Sequence, residues 1–374
     1  MTEIVIVGGG PVGLWTAIQL KKRMESARVT VYERYAQYQR SHVLRLDHWS
    51  LMLYASSTYD LIERQFLKEV TGKRLSGVRA QFTKSLYIRT NDFEAALKNY
   101  AKALGVNIIL KKIDSVEEAE QLHPECTCFI GADGAHSLIR TQLFDKDCLE
   151  TTTLQSVLEL KCEEECSSSD QNPRLSTGEL WQLNRSLSHT AAEYVGKTKE
   201  GRTPVTLRMF LSPAEYAQLP PMSFKTPANL NSAQLDANVE RDIRAYFSAR
   251  KELGGQLLED SVKLTKLELS VYCAKNFACL RGEKAWFLVG DAALGVPYFR
   301  ALNSGLMLSS RLAQIIASKH YPLKGKLSRK VRFYDEVHRP MHVATEFAIA
   351  RSKNWLLDGV QSAREWLAHD STES

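Results

Sequence analysis

The sequence predicts an α/β fold interrupted by a mainly antiparallel insertion. Three observations carry that reading. The chain opens with an apolar strand, a glycine-rich turn and a helix. From residue 151 to residue 279 the pattern becomes alternating runs of strand type. Near residue 285 the opening pattern returns.

The opening element is the most specific. Residues 4–7 are apolar and β-branched, and Gly8, Gly9, Gly10, Pro11, Val12 and Gly13 follow before a helix over 14–22. A second strand over 29–32 ends at Glu33, with Arg34 next to it. Strand, glycine turn, helix, strand and acid in that order form a Rossmann-like cradle for an ADP group. Gly8 permits the tight turn, Gly10 lets backbone approach a pyrophosphate, and Gly13 lets helix and strand pack closely. The helix N-terminus presents free N–H groups and the positive end of its dipole. Glu33 is placed to accept hydrogen bonds from ribose hydroxyls.

Residues 35–40 read as a loop, 49–70 as a helix and 81–88 as a strand. Residues 91–104 carry Phe93, Ala96, Leu97, Tyr100, Ala101 and Leu104 at helical spacing, and Gly105 stops the helix. Strands follow over 106–110 and 126–130, the latter ending in Gly131-Ala132-Asp133-Gly134. In the middle region, strands are expected over 154–161, 190–195, 203–211 and 262–272, with a helix over 232–249. A strand over 285–289 then leads to Gly290-Asp291 and a helix over 304–318. Residues 328–368 read as helical, with His338-Arg339-Pro340 a kink or break.

Bulk properties are those of an ordinary globular chain. The 374 residues suit two domains, and 44% hydrophobic and 25% charged residues allow a sizeable core. The net charge of +6 is spread along the chain, and no Lys/Arg block or RNA-binding motif is present, so nucleic acid is not expected as a partner. No apolar run reaches membrane-span length, and Thr2 and Glu3 lead directly into the first strand. A cytoplasmic protein without an integral membrane segment is expected. The seven cysteines have neither zinc-site spacing nor a disulfide-like pattern, so reduced thiols and no metal are expected.

Three separated motifs line up: the opening turn with Glu33; Ile130-Gly131-Ala132-Asp133-Gly134-Ala135-His136-Ser137 with Arg140; and Leu288-Val289-Gly290-Asp291-Ala292-Ala293 with Pro297. Together they resemble the single-component (class A) FAD-dependent monooxygenases of the aromatic-hydroxylase type. The likeness extends to Arg89 and to a C-terminal helix around residues 334–340. It implies a Rossmann-like FAD-binding domain with an inserted mixed or antiparallel β-sheet substrate domain and a C-terminal helical segment. The expected division is 1–150 and 281–320 for FAD, 151–280 for substrate and 321–374 for the C-terminal helices. Residues 50–88 belong either to the first part or to the substrate domain.

The resemblance also assigns residues. FAD would be held by Gly8, Gly10, Pro11, Val12, Gly13, Glu33, Arg34, Arg40, Arg89, Asp133, Gly134, Gly290, Asp291, Pro297, Asn303 and Ser304. Asp291 is expected on a ribityl hydroxyl. Asp133 is expected to bond backbone N–H groups rather than phosphate. A helix starting near Ser304 is expected to face the flavin N1–C2=O edge. Arg140 is either structural, paired with a carboxylate, or part of the site, and its loss is expected to weaken FAD retention far less than loss of Asp291. The segment Arg40-Ser41-His42-Val43-Leu44-Arg45-Leu46 is similar to a loop of the MICAL-type enzymes that oxidise actin methionines; Arg40, Arg45, His48 and Trp49 are candidates there, against a solvated loop.

One place departs from the family. Leu294 stands where His is usual, and Arg300 and Leu302 replace glycines that approach the flavin ring. The implied activity is oxygenation of an electron-rich substrate, using NADH or NADPH as a transient co-substrate and oxygen through a flavin C4a-hydroperoxide. A small molecule is preferred over a protein as substrate. No residue stands out as catalytic. The alternatives are an FAD-dependent NAD(P)H oxidase or reductase, a flavin-binding module with reduced turnover and, most weakly, a plain NAD-dependent dehydrogenase. The aromatic residues Trp181, Tyr194, Phe210, Tyr216 and Phe247 read as sheet core before pocket lining.

Overall fold

The computed structural model describes residues 2–36, 43–47, 50, 85–145, 147–165, 175, 177–196, 198–231, 233–253, 255–297, 300–319 and 326–352. It divides into two compact units. One comprises Met1–Thr152 and Val271–Ala348, and the other contains Thr153–Ser270.

The first unit is built on a six-stranded sheet. Its strands are β1 (Glu3–Val7), β2 (Arg28–Glu33), β5 (Asn107–Leu110), β6 (Cys128–Gly131), β13 (Ala278–Arg281) and β14 (Lys284–Leu288), in the order β13-β14-β6-β1-β2-β5. All neighbours are parallel except β13 and β14. Ile4, Val5, Ile6 and Val7 are fully or nearly fully buried, as a central parallel strand requires on both faces. A two-stranded ribbon, β3 (Val43–Asp47) with β4 (Ser85–Arg89), lies outside this sheet.

Register brings the distant motifs side by side. Val7 pairs with Gly131, and Gly131 pairs with Leu288. The ladder continues one residue further, with Ala132 N–H donating to Val7 O at 2.7 Å and Val289 N–H to Gly131 O at 3.0 Å. Val7 also faces Tyr32, next to Glu33. Four strands therefore end together at the carboxyl edge of the sheet, where parallel α/β sheets bind ligands.

Helix α1 (Pro11–Arg23) starts with proline in its first turn and Gly10 at its N-cap, and it ends with Lys21, Lys22 and Arg23. Proline costs nothing there because that N–H has no helical partner, and the basic residues complement the dipole. The helix Thr90–Ala103 buries Phe93, Leu97 and Ala101, every fourth residue, as its spacing predicts.

One expectation about the C-terminal helices is corrected and one is narrowed. The return helix begins at Arg300, not near Ser304, and runs Arg300–Ala317. Of the kink or break expected at His338-Arg339-Pro340, the break does not occur. The final helix passes through with a π-helical turn at Phe333–His338 and continues to residue 352. A wider turn placed just before the proline absorbs the lost N–H and the ring clash. The expected helix at 49–70 lies outside the described residues except for Ser50, and so do residues 81–84 of the next strand.

The other sheet contains β7 (Leu149–Glu165), β8 (Ala191–Val195), β9 (Arg202–Leu211), β10 (Ala228–Asn229), β11 (Gln256–Leu257), β12 (Lys263–Ala274) and β15 (Leu294–Gly295). Its main path is β10-β12-β7-β9-β8, and pairs such as Leu160↔Leu207 and Glu193↔Leu207 are antiparallel. In the second unit, Leu158, Leu160, Val205, Leu207 and Met209 pack with Val239, Ile243 and Tyr246 of the helix Ala237–Glu252. Tyr216 and Phe247 pack against that same core. Arg250, from the helix, is 1% exposed and bonds Glu164 twice, at 2.8 and 2.6 Å, and Glu193 at 2.6 Å.

Candidate dinucleotide site

The opening turn is a backbone cradle. Gly8 has φ +109°, and a Cβ on Gly13 would lie 1.9 Å from Gly8 O, so neither position admits a side chain. Gly10 gives α1 no side-chain cap, which leaves its first N–H groups directed at the turn. These features fit a pyrophosphate. Glu33 sits beside them: its Oε2 accepts from Gly9 N–H at 2.7 Å and its Oε1 from Tyr35 N–H at 2.9 Å. A carboxylate has about four acceptor positions, so both oxygens retain capacity for ribose hydroxyls. Arg34 turns its guanidinium over the Tyr35 ring, 4.6 Å from the centroid.

The second motif is tied to itself. Asp133 accepts from Ser137 Oγ at 2.5 Å and from Ile139 N–H at 3.2 Å. Burial pushes its carboxyl above the ordinary value, and these bonds oppose the rise. Ser137 caps the helix Leu138–Phe144 through Arg140 N–H. Gly134 has φ +88° and nothing near its missing Cβ, so backbone conformation alone demands glycine.

The third motif meets the first at Val12. Gly290 has φ +60°, and its Cβ would fall 2.8 Å from Val12 Cγ1; a Cβ on Gly305 would fall 2.8 Å from Val12 Cγ2. Val12 is thus held between the strand end and the return helix. Farther along, Trp15 Nε1 donates to Ser310 Oγ at 2.9 Å. Asp291 lends its main-chain oxygen to Tyr272 Oη at 3.1 Å.

Arg140 connects motifs two and three. It is 3% exposed. Its Nη1 donates to Ala292 O at 2.9 Å and Asp291 O at 3.4 Å, and its Nη2 to Ala135 O at 2.8 Å. The expected carboxylate partner is replaced by main-chain carbonyls.

At the other end, the expected ligand contacts of Asn303 and Ser304 serve the protein. Asn303 Oδ1 accepts from Asp47 N–H at 2.8 Å, and Ser304 Oγ lies 3.0 Å from His342 Nε2. With the helix already begun at Arg300, the Ser304 N–H lies inside it rather than at its open end. Pro297 is buried and its oxygen accepts from Arg300 N–H at 3.1 Å. Arg300 pairs with Glu346 at 2.7 and 3.0 Å, and Leu302 is 8% exposed. Leu294 is buried and pairs with Cys273.

Arg40, His48 and Trp49 lie outside the described residues. Arg45 and Arg89 are described only as strand backbone. Glu346 and His342 were not foreseen; the signal available was His338, His342 and Glu346 at four-residue spacing, one polar stripe on a helix. Among the described residues, no group of three or more His, Cys, Asp or Glu could hold a metal ion, and no helix is long and apolar enough to cross a membrane.

Residues 3–136 match the family model "FAD dependent oxidoreductase". That match covers the N-terminal part of the chain. No curated protein matches the chain in sequence. Among solved structures, CtdE in complex with FAD has a TM-score of 0.60 at 12% identity, covering 98% of this chain and 100% of that one. The tetrameric 2-methyl-3-hydroxypyridine-5-carboxylic acid oxygenase gives 0.56 at 14%, covering 95% and 92%. The Diels-Alderase PyrE3 gives 0.58 at 16%, covering 98% and 79%. The resemblance to class A flavin monooxygenases is borne out at the level of fold, and so is the expected α/β architecture with a separate antiparallel sheet.

Proposed function

We propose that this oxidoreductase is an FAD-dependent monooxygenase that uses NADH or NADPH and oxygen to oxygenate an electron-rich small molecule. The observation that carries the reading is the register Val7–Gly131–Leu288, which puts the glycine turn, Asp133-Gly134 and Gly290-Asp291 on one sheet edge. In this reading the turn Gly8 to Gly13 and the α1 N-terminus bind pyrophosphate, and Glu33 bonds the ribose. Asp133 shapes the neighbouring loop, Asp291 bonds the ribityl chain, and Gly290 with Gly305 keeps the path along Val12 narrow. FAD, when bound, supplies the redox chemistry; the chain binds and orients it and keeps water away. The FAD part is 1–150 with 281–320, and the substrate part is 151–280.

A small-molecule substrate and a cytoplasmic location belong to the same reading. The first is supported by the neighbouring oxygenase of a pyridine carboxylic acid. The second is supported by six free cysteines among the described residues. A Diels-Alderase is among the structural neighbours, so the site rather than the fold carries the reading.

A second reading, an NAD(P)H oxidase or reductase of the same fold, is favoured by one observation: Arg300 occupies a glycine position of the family. Oxidation of NADPH by the FAD-loaded protein across a panel of small aromatics separates the two. Oxygenated product supports the monooxygenase. Peroxide without oxygenated product supports the oxidase, and no reduction by either nicotinamide rejects both.

A further inference from the structure

The first turn of the helix Arg300–Ala317 carries a charged cluster that the proposed FAD contacts do not use. Arg300 Nε donates to Glu346 Oε2 at 2.7 Å and Nη2 to Glu346 Oε1 at 3.0 Å. The Asp47 carboxylate lies 3.7 Å from Arg300 Nη1. Glu346 is 1% exposed, a burial that a carboxylate sustains only with such a partner. Asp47 N–H to Asn303 and His342 to Ser304 reinforce the same turn. β3, the return helix and the C-terminal helix therefore meet around Arg300. Just beyond, Gly305 touches Val12 of the opening turn. In the FAD-binding reading, a dinucleotide seated on that turn would run past Gly290 toward this cluster.

We infer that Arg300, Glu346 and Asp47 are positioning residues for the ring end of FAD. The inference rests on the FAD-binding reading above. The two-pronged pair fixes the helix start where a glycine segment would leave it pliant. Arg300 is half of a compensated pair rather than a free cation offered to the ligand. A fixed negative charge beside a ring that gains electrons makes reduction harder.

The test uses the FAD-loaded protein with E346Q, R300M and R300M/E346M, because R300M alone leaves a buried carboxylate without its partner. The readouts are the flavin midpoint potential and the affinities for FAD and ADP. E346Q removes a negative charge and shifts the potential up. R300M strips the buried Glu346 of its partner, so that carboxyl takes up a proton and the potential stays nearer the wild-type value than in E346Q. The double variant keeps the net charge and returns near the wild-type potential. It keeps ADP affinity within about twofold and loses FAD affinity about tenfold. A potential that stays put or falls in E346Q overturns the proposal. So does an equal loss of ADP and FAD affinity, which marks a general structural defect. A wild-type chain that binds ADP but not FAD overturns the FAD reading and this inference together; wild-type FAD affinity and potential in every variant overturn this inference alone.

Discussion

Arg140 Nη1 donates to the main-chain oxygen of Ala292 at 2.9 Å, across 152 positions of the chain. The same side chain reaches Ala135 O at 2.8 Å. Two motifs that each approach the proposed cofactor are thus held by one buried guanidinium.

Arg140→Met should therefore cost more than a surface arginine. It leaves the buried Ala292 carbonyl without this donor, worth about 1–3 kcal/mol, and takes a second donor from the half-buried Ala135 carbonyl. Urea unfolding should register a loss of roughly 2–4 kcal/mol. FAD retention should fall about as much as in Asp291→Ala, contrary to the wide gap expected from sequence. Equal stability of Arg140→Met and the parent would reject the tie.

The glycines differ in kind, and substitution should sort them. In Gly13→Ala the new methyl meets Gly8 O at 1.9 Å, backbone against backbone, so ADP binding should be lost. Gly134→Ala meets nothing and bears only its positive φ, a cost of about 1–2 kcal/mol with binding retained. Calorimetric titration with ADP on both variants checks the contrast; similar binding in the two would contradict it.

Acid should weaken the first unit through two histidines. Burial, then the neighbouring His342 and Arg311 charges, lowers His338 to about 3; burial, then Arg300, lowers His342 to about 4. Both are neutral when folded and protonate more readily when unfolded. Stability is therefore whole above about pH 6.5 and drains as pH falls toward 4, at about 1.4 kcal/mol per unit for each group. His342→Gln should flatten the denaturation profile between those values. A profile as steep as the parent's would count against it.

In the second unit, Arg250 is nearly inaccessible and holds Glu164 and Glu193. Arg250→Ala leaves two buried carboxylates facing each other and should cost on the order of 3–5 kcal/mol. Lysine should not rescue it, since one ammonium cannot reproduce the fork to Glu164. Thermal unfolding of both variants measures this, and a lysine variant as stable as the parent would refute the fork argument.

The fold was legible where a periodic pattern met a strong punctuation signal. Residues 4–13 read correctly because four β-branched apolar residues run into glycines. Residues 91–104 read correctly because Phe93, Leu97 and Ala101 recur every helical turn. The start of the return helix did not. Its true first turn holds Arg300 and Leu302, and what steadies it is Glu346, 46 positions away. The choice between a kink and a break at Pro340 was equally hidden, because the sequence does not show that a wide turn precedes the proline. The carbonyl partners of Arg140 had no signature, since main-chain oxygens look alike in every sequence.

The alignment of Val7, Gly131 and Leu288 has a consequence for synthesis. A nascent chain that has emerged through residue 136 already contains β1, β2 and β6, yet one flank of β6 still lacks β14. The cradle closes on Val12 only after Gly290 and Gly305 leave the ribosome. Loop closure over such separations is slow compared with local helix formation. The proposed cofactor pocket is thus among the last parts of the first unit to be finished, and until then an open sheet edge waits for its neighbour.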